Sequence, residues 1–195
     1  MIGRMVLFGA SGDLTSRLLM PAVAQLAEAG LLPPGFTVLG SANTDWSTED
    51  FRQHIASELE KHAPVASATR DAVVRMLSFA PADVTRAADV SRVIGGDHPD
   101  TLVYLALPPG LLLSVLPALA AARLGTSDAV AIEKPFGTDL ASARHLNQIL
   151  RIRLPQPVIF RIDHFLSSEL VRWVITLRFL NRVFEPIWNL SLIHI

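Results

Sequence analysis

A chain of 195 residues, 50% hydrophobic and 18% charged, has the composition of a folded globular protein with material for one domain and part of another. Seventeen basic against eighteen acidic residues give a formal net charge of -1, a balance that supplies no field for nucleic acid or an anionic membrane surface. Zero cysteines exclude disulfides and thiolate metal sites, the start Met1-Ile2-Gly3-Arg4 lacks a signal peptide's long apolar region, and no later apolar run reaches the roughly 20 residues of a membrane helix, so a cytoplasmic protein is expected.

In chain order, Arg4-Met5-Val6-Leu7-Phe8 is an apolar strand that turns at Gly9-Ala10-Ser11-Gly12-Asp13-Leu14 into a helical pattern. Gly9 and Gly12 would let the backbone approach a pyrophosphate with no Cβ in the way, and free N–H groups at the start of the next helix would face the anion. Only two of the three usual glycines are present, Asp13 standing near the place of the third. The segment therefore reads either as a phosphate-binding turn or as an ordinary strand-to-helix turn. Leu18, Leu19, Val23, Leu26 and Ala27 recur at helical spacing over residues 14–30, with Gly30 as a stop.

Residues 36–40 form a second strand, and Ser47-Thr48-Glu49-Asp50 has the cap and acids of a helix start leading into Phe51, Ile55 and Leu59. A third strand is expected at 75–80. Asp83-Val84-Thr85 then opens a short helix to about residue 94, closed by Gly95-Gly96-Asp97. Residues 101–107 are apolar throughout, as a strand covered on both faces should be, and Pro108-Pro109-Gly110 ends it. A helix over 111–124 with Pro117 inside, a strand over 128–133, a helix from Thr138-Asp139 to about 151 and a strand over 157–163 complete the alternation.

Strands alternating with helices through right-handed crossovers imply an α/β fold, a doubly wound parallel sheet with helices on both faces. Ligands of such sheets bind outside the carboxyl ends of the strands, where residues 9–14, 42–44, 107–109 and 133–137 fall. In Glu133-Lys134-Pro135-Phe136-Gly137 a lysine emerges at a strand tip, placed to reach a bound anion or hydroxyl, or else to stand as a surface ammonium in a loop. Asp163 and His164 end the last strand. Strand neighbours point to opposite faces, so the two form no dyad unless the strand stops between them. A carboxylate there could orient a basic histidine, or simply cap the helix that follows.

Taken together, Gly9-Ala10-Ser11-Gly12-Asp13-Leu14, Glu133-Lys134-Pro135-Phe136-Gly137 and Arg161-Ile162-Asp163-His164-Phe165-Leu166, in this order and at these separations, resemble glucose-6-phosphate dehydrogenase. Arg178-Phe179, Asn181-Arg182 and Pro186-Ile187-Trp188-Asn189 extend the match over residues 4–189. That enzyme is much longer. The resemblance thus implies a Rossmann domain for NADP or NAD over residues 1–160 and the truncated start of an α+β substrate domain over 161–189. Leu190-Ser191-Leu192-Ile193-His194-Ile195 is acceptable strand composition, but it matches one reading frame of a transposon end used in sequencing libraries, so 190–195 is expected to be a non-native tail.

Carried over by residue, the resemblance implies that Gly9, Ala10, Ser11, Gly12, Asp13 and Leu14 hold the coenzyme pyrophosphate, with Asp83 and Val84 near the adenine and Leu107 to Pro109 near the nicotinamide. Lys134 would contact both coenzyme and sugar, His164 would hold the sugar phosphate, and Asp163 would partner the histidine base that takes the proton of the C1 hydroxyl. The implied reaction turns glucose 6-phosphate into 6-phosphogluconolactone, in the pentose phosphate pathway, within a homo-oligomer that binds neither nucleic acid nor membrane. The base itself comes from a later helix of the family. His54, His62, His98, His145 and His194 offer no counterpart, so the chain alone is expected to be inactive.

Three departures bear on specificity. Asn43 stands where the family usually carries an arginine for the coenzyme 2′-phosphate, and a neutral amide cannot make a charged bidentate contact. Phe165 and Ser168 replace a tyrosine and a lysine on the sugar-phosphate side, and Leu18 a common basic residue; Arg17 and Arg172 are candidates to compensate. Use of both coenzymes and a loosely held sugar phosphate are expected. A dinucleotide-binding chain without catalysis and a general Rossmann sugar dehydrogenase are the other readings, the Arg-Ile-Asp-His run arguing against the latter.

Overall fold

The computed structural model describes residues 2–95, 100–122, 124–137, 139–154, 158–183 and 188. Strands β1 (Arg4–Phe8), β2 (Thr37–Ser41), β3 (Leu77–Phe79), β4 (Thr101–Leu105), β5 (Ala129–Glu133) and β6 (Val158–Ile162) lie in one sheet in the order β3-β2-β1-β4-β5-β6. The pairs β1–β2, β2–β3, β1–β4 and β4–β5 are parallel, with Phe8 opposite both Ser41 and Leu105. The chain winds outward from β1 and then returns to β1's other side at β4. This reversal opens a crevice at the carboxyl ends of the two central strands.

The expected doubly wound parallel sheet is therefore present. Side chains alternate across each strand, so Val6, Phe8, Val103, Leu105, Val130 and Ile132 share one face. They form a core with residues of α4 (Ala87–Ile94), α5 (Pro109–Ala121) and α6 (Leu140–Arg153). The intervening Met5, Leu7 and Val38 are buried too, on the side of α1 (Met20–Glu28), α2 (Thr48–His62) and α3 (Ser67–Arg75). At Gly40 a Cβ would lie 2.7 Å from the Phe51 ring, so the absence of a side chain there sets how closely α2 approaches β2.

Several boundaries differ from the sequence expectations, each for a local reason. The helix expected over 14–30 begins as a π-helical turn at Thr15–Leu19, in which the N–H of Met20 reaches back to the Thr15 carbonyl. The wider turn inserts a residue and rotates the apolar stripe, leaving Leu18 and Leu26 exposed while Val23 is buried. Helix α3 was not expected, because Val73 is its one buried residue and its apolar periodicity is faint; it takes up Arg75, so β3 begins only at Leu77. The helix expected from residue 83 starts at Ala87. Asp83 Oδ1 instead accepts from the Thr85 N–H and hydroxyl at 2.9 and 2.7 Å, an Asx turn that competes with helix. β4 stops at Leu105, two residues early, and α5 starts at Pro109, whose fixed φ and missing N–H suit the first turn of a helix. Gly96, Asp97, Thr138, Pro157, Phe184, Pro186, Ile187, Asn189 and the tail 190–195 lie outside the described residues.

The start of α2 is capped as its sequence implies. Ser47 Oγ accepts from the Asp50 N–H at 3.1 Å, and Asp50 Oδ2 accepts from the Ser47 N–H at 2.8 Å. Hydrogen bonds from the Ser47 hydroxyl and then its N–H hold the Asp50 carboxyl below the usual carboxylate range. A depressed folded-state value contributes stability above the unfolded pKa that is lost as pH falls through the folded one. Melting temperature is thus expected to fall more steeply between pH 5 and pH 2 in the wild type than in Asp50→Asn; parallel melting curves for the two proteins would contradict this.

Residues 1–161 and 162–195 form two compact units. In the second, a 3-10 turn (His164–Ser167) leads into α7 (Glu169–Leu180), which buries none of its described residues. Trp173, Leu177 and Phe179 are exposed.

Candidate functional site

The loop after β1 is the most constrained part of the first unit. The N–H groups of Gly9 and Ala10 both donate to the Ser41 carbonyl, at 2.9 and 3.0 Å, which ties the loop to the end of β2. Gly9 has φ of +84°, and a Cβ there would sit 2.1 Å from the carbonyl oxygen of Ala106. Its own carbonyl accepts from the Gly12 N–H at 3.0 Å and the Thr15 hydroxyl at 3.1 Å. Gly12 is open by comparison, a Cβ meeting only the Gly9 oxygen at 3.2 Å. The helix thus begins directly behind a glycine turn, and its first N–H groups have no carbonyl one turn back to receive them. Such an end favours an anion.

In front of this loop lies a cleft of about 470 Å³, walled by the segments that follow β1, β2, β3 and β4. Gly9, Ser11 and Gly12 form one wall, Ala42 and Asn43 the next, Ala82, Asp83, Val84 and Thr85 the third, and Ala106, Leu107, Pro108 and Leu111 the fourth. Of the residues singled out in the sequence, the structure thus brings together Gly9, Ser11, Gly12, Asn43, Asp83, Val84, Leu107 and Pro108. Asp83 is the one charged side chain among the lining residues, its carboxyl held below the usual range first by the Thr85 hydroxyl. Among the described residues no cation lines the wall at Asn43. On either side of Ala42-Asn43, the buried Ser41 Oγ and Thr44 Oγ1 have no hydrogen-bond partner among the described residues.

The other singled-out residues of the first unit do not line this cleft. Ala10 is fully buried behind the glycine turn. Asp13 and Leu14 line a separate hollow with Arg17, Leu18 and His62, and there Arg17 pairs with Asp13 at 3.4 Å. Lys134 is exposed at the tip of β5. Beside it Glu133 accepts a hydrogen bond from the buried Tyr104 hydroxyl, and burial, then this carboxylate, push the Tyr104 phenol well above its ordinary range. Asp163 and His164 belong to the second unit. β6 ends at Ile162, before both, and Asp163 caps the following turn by accepting from the Phe165 N–H at 3.0 Å.

Thr85, Leu111 and Tyr104 escaped the sequence reading. Asp-x-Thr is a turn signal as well as a helix start, and taking it as a turn would have set Thr85 beside Asp83. Nothing local distinguishes Tyr104 from its apolar neighbours, since its partner lies on another strand.

Gly9's close approach to β4 and the helix start behind the glycine turn fit a dinucleotide laid across the switch point. Among the described residues no cluster of side chains could hold a metal ion, and no helix is long and apolar enough to cross a membrane. The family model for "Glucose-6-phosphate dehydrogenase, NAD binding domain" matches residues 6–172. Glucose-6-phosphate 1-dehydrogenase 2 of Mycobacterium tuberculosis is 39% identical over 204 residues, covering 95% of this chain and 39% of the relative. Glucose-6-phosphate 1-dehydrogenase of Treponema pallidum is 37% identical over 95% of this chain and 39% of its own. Among solved structures, the Mycobacterium avium glucose-6-phosphate 1-dehydrogenase superposes with a TM-score of 0.79 at 33% identity, covering 97% of this chain and 42% of that one. A glucose-6-phosphate dehydrogenase in complex with its substrate glucose-6-phosphate gives 0.80 at 30% identity, with the same coverage. The chain spans about two-fifths of the length of these relatives.

Proposed function

This chain belongs to the glucose-6-phosphate dehydrogenase NAD-binding-domain family, and from that premise we propose that its full-length protein oxidises glucose 6-phosphate at C1 to 6-phosphogluconolactone. The observation that carries the reading is the cleft at the switch point, where a glycine turn, an uncapped helix start and three further strand ends converge. NAD or NADP supplies the nicotinamide that accepts the hydride.

Within this reading Gly9 and Gly12, whose own N–H groups are used within the turn, let the backbone approach the pyrophosphate, and the N–H groups of Ser11 and of the helix start at Asp13 and Leu14 face it, with Ala10 packed behind them. Asp83 and Val84 border the adenine, while Leu107 and Pro108 keep water from the nicotinamide side. Lys134 reaches coenzyme and sugar from the tip of β5. In the second unit His164 holds the sugar phosphate, and Asp163 orients a histidine base supplied by the remainder of the protein. As the C1–H electrons leave as hydride, the O1 proton passes to that base and the C1–O1 bond becomes a carbonyl, which balances charge and atoms.

Coenzyme choice follows from Asn43 and from the absence of a cation among the lining residues. A charge-assisted contact to a 2′-phosphate is worth about 1.5–3 kcal/mol, so its loss removes roughly a tenfold or greater preference for NADP. The 1–195 chain is expected to bind NAD and NADP with comparable affinity, and Asn43→Arg to favour NADP by tenfold or more. Calorimetric titration with both coenzymes measures this. Strong NADP selectivity in the wild-type chain would mean that a cation outside the cleft wall reads the 2′-phosphate.

A further inference from the structure

We propose that His54, on α2, is a positioning residue for the glycine turn, acting through Ser16. The inference rests on the dinucleotide reading of the cleft and adds to it a residue outside the lining. Ser16 is buried in the π-helical turn directly behind Gly12. Its hydroxyl lies 3.3 Å from the Gly12 carbonyl oxygen and 3.0 Å from His54 Nε2. A serine hydroxyl has one proton. With that proton directed to the Gly12 carbonyl, the Ser16 oxygen accepts from Nε2–H of His54, and the three groups form a chain running from α2 to the Gly12–Asp13 peptide.

That peptide matters because its other end is the Asp13 N–H, one of the unpaired donors at the start of the helix. Hydrogen bonds in series polarise one another, so a donor placed on the Gly12 oxygen both fixes the plane of the peptide and strengthens its N–H as a donor. A serine bonding back to a carbonyl of its own helix is ordinary. The second bond, coming from a separate element, is what holds the turn from behind. The imidazole is itself held: the Trp46 ring packs against it with centroids 5.0 Å apart, and Trp46 is braced in turn by Phe79 at 6.0 Å. Position and orientation of Nε2 are thus set by α2 and its aromatic neighbours, ahead of any ligand.

The experiment is calorimetric titration of the 1–195 chain with NAD and NADP, using His54→Phe, His54→Gln and Ser16→Ala. Phenylalanine keeps a ring against Trp46 and removes the donor, whereas the glutamine amide supplies an N–H at similar reach. His54→Phe is expected to weaken both coenzymes about fivefold, the value of one net hydrogen bond, with His54→Gln restoring affinity to within about twofold. Ser16→Ala should match His54→Phe, and the double variant should be no worse than either, because the two residues act in one chain. Without ligand, amide exchange at residues 12–16 should rise in His54→Phe and not in His54→Gln, a readout that does not depend on binding. Wild-type affinity in His54→Phe, equal loss in the phenylalanine and glutamine variants, or additive losses would each overturn the positioning role while leaving the coenzyme reading intact. A folded wild-type chain that binds neither coenzyme would overturn that reading, and this inference with it.

Discussion

Replacing Gly9 with alanine is expected to abolish coenzyme binding and to destabilise the first unit by about 2–4 kcal/mol, the combined cost of a left-handed non-glycine residue and an overpacked contact. The added Cβ would fall 2.1 Å from a backbone oxygen, that of Ala106, and 2.8 Å from its carbon. A flexible side chain could move aside; a carbonyl next to the central strand β4 cannot do so without breaking the Ala106 N–H bond to Phe8 at 3.0 Å. Gly12→Ala supplies the contrast, since its Cβ meets a single atom at 3.2 Å. That variant should fold with nearly the wild-type melting temperature and still bind coenzyme more weakly. Melting curves and titrations of both variants test the pair, and a Gly9→Ala protein with wild-type stability would show that the turn is free to move.

The second large effect concerns turnover. The 1–195 chain is expected to bind coenzyme yet release no NADH or NADPH with glucose 6-phosphate. Under the proposed mechanism the O1 proton must pass to a histidine, and His54, one of the described histidines, is engaged behind the glycine turn rather than lining the cleft. Loss of a general base costs roughly 10²–10⁴ in rate before the rest of the substrate wall is counted. Absorbance at 340 nm with saturating coenzyme and sugar phosphate measures it. Turnover near that of a full-length relative would place the base within these 195 residues.

How much was legible in the sequence differed between the scaffold and the site. The central strands β1, β4 and β5 were readable because each is a short, largely apolar run, and burial on both faces leaves little else such a run can be. The start of α2 was readable because Ser47 and Asp50 make a cap whose partners are three residues apart. What failed was what depends on geometry between elements. The π-helical turn arises where Thr15 and Ser16 bond back to Gly9 and Gly12, and no periodicity announces it. The pairs Tyr104 with Glu133 and Ser16 with His54 join residues 29 and 38 apart in sequence. Asp83 was seen, but as a helix start rather than the turn that sets Thr85 in the cleft. The glycine turn and its neighbours at the strand ends were found together because topology alone sends them to one side of the sheet.

The most direct test of the dinucleotide site is hydrogen–deuterium exchange of the 1–195 chain with and without saturating NAD or NADP. Protection is expected at residues 9–14, 42–44, 83–85 and 107–108, the segments that wall or open onto the cleft, with little change in α7. Saturable binding without protection in those four segments, or protection confined to residues 162–183, would contradict the assignment of the cleft as the coenzyme site.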